Sequence, residues 1–172
     1  MLNNYGNDAK LIFCNIKNIH KAREASEKTE EICTDENIMT NKSFWSQFES
    51  TGWLDFIIFT LKIINEIAKL VSEGNNVLIH CSDGWDRTPQ LVATSQVLLD
   101  PYYRTFMGFA VLEEKDWISF CHQFAKRSGM TTKKNEGESE RTLIFLEFLD
   151  IIYQLMIQFP NEFEFNVDYL LF

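Results

Sequence analysis

Cys81 and Arg87 bracket the run Cys81-Ser82-Asp83-Gly84-Trp85-Asp86-Arg87, with Thr88 directly after it. That pattern suits phosphate-monoester chemistry by a cysteine nucleophile. Successive loop N–H groups form a concavity for an anion, and a helix N-terminus adds positive potential. The same potential lowers a thiol pKa, so the nucleophilic thiolate forms near neutral pH. Arg87 offers a planar fork for two phosphate oxygens, and Thr88 offers a hydroxyl to the thiolate. A leaving alkoxide needs a proton, which a carboxylic acid in the loop can supply. Asp86, beside the arginine, is the better candidate for that acid, with Asp83 accepting loop N–H bonds. The plainer alternative makes Cys81 a small buried hydrophobe, Arg87 a surface residue and both aspartates loop-holding acceptors. Nothing in the loop requires a metal or a cofactor.

The flanking residues say how such a loop is positioned. Val77-Leu78-Ile79 precedes it and reads as a strand, and Pro89-Gln90-Leu91-Val92-Ala93 follows and reads as a helix. Pro89 falls in the first helical turn, where a missing N–H costs nothing. The expected fold class is therefore α/β and helix-rich. A phosphate-binding loop would connect a central parallel strand to a helix, as in cysteine phosphatases. A second short strand is expected at Leu11–Cys14. Helices are expected at about Ile19–Glu31, Phe44–Phe48, Trp53–Val71, Thr88–Leu99 and Glu140–Gln158, with a helix-rich stretch from Tyr102 to Arg127. In Trp53–Val71 the residues Leu54, Ile57, Leu61, Ile64, Ala68 and Val71 recur at helical spacing. Glu147, Asp150, Gln154 and Gln158 form a narrow polar stripe on the last long helix. Thr34–Asn41 and Ser128–Glu138 read as surface loops. Two strands cannot cover helices on both faces, so the sheet is expected to be incomplete.

The loop Cys81-Ser82-Asp83-Gly84-Trp85-Asp86-Arg87-Thr88 resembles the active-site loop of the myotubularin family of phosphoinositide 3-phosphatases. Asn18-Ile19-His20, Thr51-Gly52-Trp53-Leu54, Tyr102-Tyr103-Arg104-Thr105, Lys115-Asp116-Trp117-Ile118-Ser119-Phe120 and Phe163-Glu164-Phe165-Asn166 also resemble family segments. The resemblance implies that Cys81 is the nucleophile, Asp86 the proton donor and Arg87 a phosphate ligand. It implies that Ser82, Asp83, Gly84, Trp85, Asp86 and Arg87 line the 3-phosphate, with Trp85 against the inositol ring. Asn18 and Ile19 match headgroup contacts, and Arg127 matches an arginine that reaches the lipid phosphates. Two positions depart from the family pattern: Cys121 stands for a glycine and Gln123 for a basic residue. The neutral amide at 123 points to phosphatidylinositol 3-phosphate over the 3,5-bisphosphate. The resemblance also implies that residues 1–172 are a partial catalytic domain, with both domain ends and a preceding lipid-binding domain outside it.

Composition bounds the alternatives. A net charge of −9 argues against nucleic-acid binding and against nonspecific attraction to anionic membrane. Cys14, Cys33, Cys81 and Cys121 are widely separated, and the first ten residues carry no signal-peptide pattern, which points to a reducing cytosol. The expectation is thus a cytoplasmic enzyme, peripherally associated with membranes. It would meet a phosphoinositide headgroup at the membrane surface and assemble with itself or with related phosphatases. Two rival readings stand beside it. One is a truncated relative that regulates an active partner; the other is a tyrosine or dual-specificity protein phosphatase.

Overall fold

The computed structural model describes residues 9–36, 43–130 and 141–171. Helix α1 (Ile19–Thr34) starts at Asn18, whose side chain accepts the Lys21 N–H, a regular N-cap. Helix α2 (Phe44–Ser50) is short. Gly52 then takes a left-handed turn, Thr51 accepts the Trp53 N–H at 3.1 Å, and α3 (Trp53–Ser72) begins. Helix α4 (Arg87–Leu99) follows the loop of residues 81–86. A 3₁₀ turn (Pro101–Arg104), α5 (Phe106–Glu113) and a π-helical turn (Glu114–Ile118) lead to the short α6 (Phe124–Arg127). Helices α7 (Ile144–Gln158) and α8 (Val167–Leu171) complete the set.

Helix α3 packs along α4, and α7 crosses both. Ile57 and Ile64 of α3, Ala93 and Val97 of α4, and Phe148, Ile151 and Ile152 of α7 meet in the core. Phe109 and Leu112 of α5 and Trp117 close it. Phe109 stacks on Phe148 with centroids 6.0 Å apart. Gly108 permits the turn into α5: a Cβ there would lie 1.8 Å from the Tyr102 carbonyl oxygen. The Phe163–Asn166 segment locks this corner. Glu164 accepts the Phe106 N–H at 2.9 Å, and Phe165 is buried beside Phe109.

The expected α/β class is corrected here. Among the described residues there is no strand and no sheet, only helices and their connections. Leu11–Cys14 and Val77–His80 have no ladder partner among the described residues. A strand exists through hydrogen bonds to a neighbouring backbone, and an extended segment without one is not a strand. Val77–His80 nevertheless keeps the alternation of one: Val77 and Ile79 are half-buried against the core, while Leu78 and His80 are exposed. The Cys81–Asp86 loop therefore joins an extended segment, unpaired among the described residues, to α4.

Two face assignments also change. On α3 the buried residues are Trp53, Phe56, Ile57, Thr60, Ile64, Ile67 and Ala68, so the stripe is rotated; Leu54 and Leu61 are half-buried and Val71 is exposed. On α7, Asp150 and Gln154 of the polar stripe are half-buried and Gln158 is exposed, whereas Glu147 is buried. It sits at the edge of the buried arc, opposite Thr60 of α3. The expected surface loops at Thr34–Asn41 and Ser128–Glu138 fall largely on residues 37–42 and 131–140, outside the described residues.

Candidate active site

The loop between Ile79 and α4 is shaped around the Cys81 sulfur. Gly84 has φ +88°, a left-handed conformation that glycine adopts without strain, and its N–H donates to Cys81 Sγ at 3.2 Å. Thr88 Oγ1 is buried on the same loop, near the sulfur. Burial opposes ionisation of the thiol. The Thr88 hydroxyl and the N–H groups of Gly84, Thr88 and Asp83 together outweigh it, so the Cys81 pKa lies below its ordinary value.

Asp86 holds the N-cap position of α4, yet its side chain does not cap the helix. It turns instead to Arg127, which donates Nε–H to Oδ1 at 3.0 Å and Nη2–H to Oδ2 at 2.6 Å. This is a fork-to-fork pair, and both side chains are buried. His122 approaches the same carboxylate, with Nδ1 3.2 Å from Oδ1. Burial raises the Asp86 pKa, but the hydrogen bonds from His122 and Arg127 and the Arg127 charge overcome it, holding the group below the usual carboxylate range. Because the carboxylate is engaged elsewhere, the first-turn N–H groups of α4 keep their positive potential for an anion.

These groups open on one cleft of about 220 Å³, lined by Cys81, Trp85, Asp86 and Arg87 of the loop, with Ser82 and Asp83 at its rim. Asn18 and Ile19 at the start of α1 form the opposite wall, and Arg127 reaches it from α6. Arg87 also donates toward the Ile16 carbonyl at 3.5 Å, tying the α1 lead-in to the loop. The Arg127 carbonyl accepts the Thr142 N–H at 3.0 Å, which anchors α6 to the approach of α7. Every sequence-expected site residue with a side chain thus lines a single cleft, and Gly84 contributes its backbone beside it. Gln123 does not line it; its amide donates to the Cys121 carbonyl at 2.8 Å.

Two residues escaped the sequence reading. His20, on the first turn of α1, lines the cleft next to Ile19. His122 touches both Asp86 and the Trp85 carbonyl. The only sequence signal for His20 is adjacency to Asn18-Ile19. For His122 the signal is its match to the histidine of the family's glycine–histidine pair, which carried no site role in that reading.

Over residues 2–172 the chain matches the family model described as myotubularin-like phosphatase domain. It is 43% identical over 166 residues to myotubularin of Xenopus laevis, covering 95% of this chain and 27% of that protein. It is 44% identical over 168 residues to phosphatidylinositol-3,5-bisphosphate 3-phosphatase MTMR4 of Mus musculus, covering 96% of this chain and 14% of that protein. The chain thus spans about a quarter or less of the length of these relatives.

Proposed function

The chain belongs to the myotubularin-like phosphatase family, and from that membership we propose that it carries the catalytic machinery of a phosphoinositide 3-phosphatase. Residues 1–172 are, in this reading, part of a larger catalytic domain. The observation that carries the proposal is the half-buried Cys81 thiol, its pKa lowered, in one cleft with Arg87 and Arg127. The name of the MTMR4 relative supplies the substrate class. Phosphatidylinositol 3-phosphate is the proposed substrate, with the 3,5-bisphosphate a second. The headgroup would be met at a membrane surface; among the described residues no helix is long and apolar enough to cross one.

The proposed reaction has two steps. The Cys81 thiolate attacks phosphorus, forming an S–P bond as the P–O bond to the inositol oxygen breaks. That oxygen takes a proton from Asp86. Water then attacks the phosphocysteine and passes a proton to Asp86; the S–P bond breaks, releasing phosphate and restoring the thiolate. Arg87 and the loop N–H groups hold the equatorial oxygens throughout. In the empty cleft Asp86 is a carboxylate paired with Arg127. Its role as acid therefore requires that Asp86 take up a proton from solvent or from the bound phosphate monoester as the headgroup phosphate draws Arg127 aside, which removes a positive charge that lowers its pKa.

The test is phosphate release from the lipid and from an aryl phosphate. Cys81→Ser should abolish both. Asp86→Asn should slow lipid turnover about a hundredfold more than aryl phosphate turnover, whose leaving group needs little protonation. Equal losses on both substrates would assign Asp86 to holding Arg127 alone. Faster turnover of a phosphotyrosine peptide than of the lipid would transfer the reading to a protein phosphatase.

A further inference from the structure

His122 lies between the π-helical turn and α6, with only 1% of its side chain exposed. Its ring stands edge-on to Trp117 and to Phe124, with centroids 4.9 Å and 4.6 Å away, so its orientation is fixed by packing. From that seat Nδ1 lies 2.6 Å from the Trp85 carbonyl oxygen and 3.2 Å from Asp86 Oδ1. A carbonyl and a carboxylate both only accept hydrogen bonds, so Nδ1 must carry the proton.

The consequence concerns the peptide between Trp85 and Asp86. It is trans and planar, so its C=O and N–H point in opposite directions. His122 does not line the cleft. The Trp85 carbonyl is thus held toward a residue outside the cleft lining, and the Asp86 N–H points to the other side of the peptide plane. A released peptide is free to turn its carbonyl toward the anion, where its negative end would oppose phosphate. The same Nδ1–H also steadies the carboxylate that Arg127 grips.

We propose that His122 is a positioning residue that holds the phosphate loop in its anion-binding form, through a single Nδ1–H shared by the Trp85 carbonyl and Asp86. The proposal rests on the phosphatase reading of the cleft. It differs from a merely space-filling role because it depends on one nitrogen and not on the volume of the ring.

Asparagine carries its amide nitrogen on Cγ, where histidine carries Nδ1; glutamine carries its own one atom further out, nearer the place of Nε2. The experiment measures orthovanadate affinity and thermal midpoint of the chain in the wild type and in His122→Asn, His122→Gln and His122→Leu. All affinities are read well below the lowest midpoint. His122→Asn should stay within about threefold of the wild type. His122→Gln and His122→Leu should lose about tenfold or more, whatever their midpoints. Equal losses in the Asn and Gln variants, or an affinity that follows the midpoint alone, overturn the proposal. The wild-type chain gives a second measurement that needs no variant. Long-range ¹H–¹⁵N spectra should show a proton on His122 Nδ1, and an unprotonated Nδ1 overturns the proposal as well. Failure of the phosphatase reading is distinct: the wild-type chain would then bind no vanadate at all, with its Nδ1–H still in place.

Discussion

At the scale of single residues, reactivity and exposure point in opposite directions among the cysteines. Cys33 and Cys121 are exposed, while Cys81 and Cys14 are half-buried. Access alone would favour Cys33 and Cys121, whereas thiolate content favours Cys81, whose hydrogen bonds lower its pKa. Iodoacetamide at about pH 7 should label Cys81 first, and inorganic phosphate should protect it and no other cysteine. Peptide mapping after partial labelling reads the order; equal rates at all four would deny the low-pKa thiolate. Cys121 presents a different effect. Its φ of +63° is left-handed, a conformation glycine adopts freely and other residues adopt at a cost. A glycine at this position would take that conformation without the cost. Cys121→Gly should relieve the strain and raise stability by about 0.5–1 kcal/mol, the gain being reduced by the extra freedom glycine has when unfolded. Thermal unfolding reads it as a midpoint higher by about 2 °C. A lower midpoint would show that the Cys121 side chain contributes more than the strain costs.

At the scale of the helices, the site depends on how α3, α4 and α7 share a core. That core includes one acid. Glu147 is buried between α3 and α7, with Thr60 Oγ1 3.4 Å from its Oε1. Burial pushes its pKa up to about 7 from 4.5, the Asp150 charge adds to the rise, and Thr60 and Gln90 oppose it. Below the unfolded value both states hold the proton, and the packed neutral acid contributes fully. That contribution falls as pH rises through the folded value and is lost above it. The difference amounts to roughly 3 kcal/mol. Urea unfolding should therefore show stability declining between about pH 5 and pH 8, and Glu147→Gln should flatten most of that slope. An unchanged slope in the variant would place the titrating group elsewhere.

At the scale of the whole molecule, the two extended segments carry apolar side chains that the helical core does not cover. Phe13 is 84% exposed, Leu78 is 78% exposed, and Leu11 and Ile12 are exposed as well. These side chains lie on extended segments whose backbones have no ladder partner among the described residues. An apolar, unpaired extended edge promotes association. Phe13→Ser combined with Leu78→Ser should raise the concentration at which the chain stays monodisperse, with a change in unfolding free energy below about 0.5 kcal/mol. Light scattering and a denaturant titration check the two parts. A loss of several kcal/mol would mean that these side chains are packed in solution.

The grouping of the loop residues was legible in the sequence because its parts are contiguous. Cys81, the N–H groups after it, Arg87 and Thr88 lie in one turn, and a short run of chain fixes their mutual distances whatever surrounds them. The helices were legible for a similar reason, since apolar periodicity and the stop at Asp100-Pro101 are local. Arg127 could be assigned only through family resemblance. Its place opposite Asp86, across 41 residues of chain, is a fact of the tertiary structure. The tertiary structure alone also decided that His122 braces the Trp85 carbonyl, that Glu147 faces inward from an otherwise polar stripe, and that Gln123 turns back on its own backbone. The extended segments make the same point most sharply. The alternation of Val77, Leu78, Ile79 and His80 specifies a strand-like backbone, but a strand is a relation between two backbones, and no single segment contains its partner.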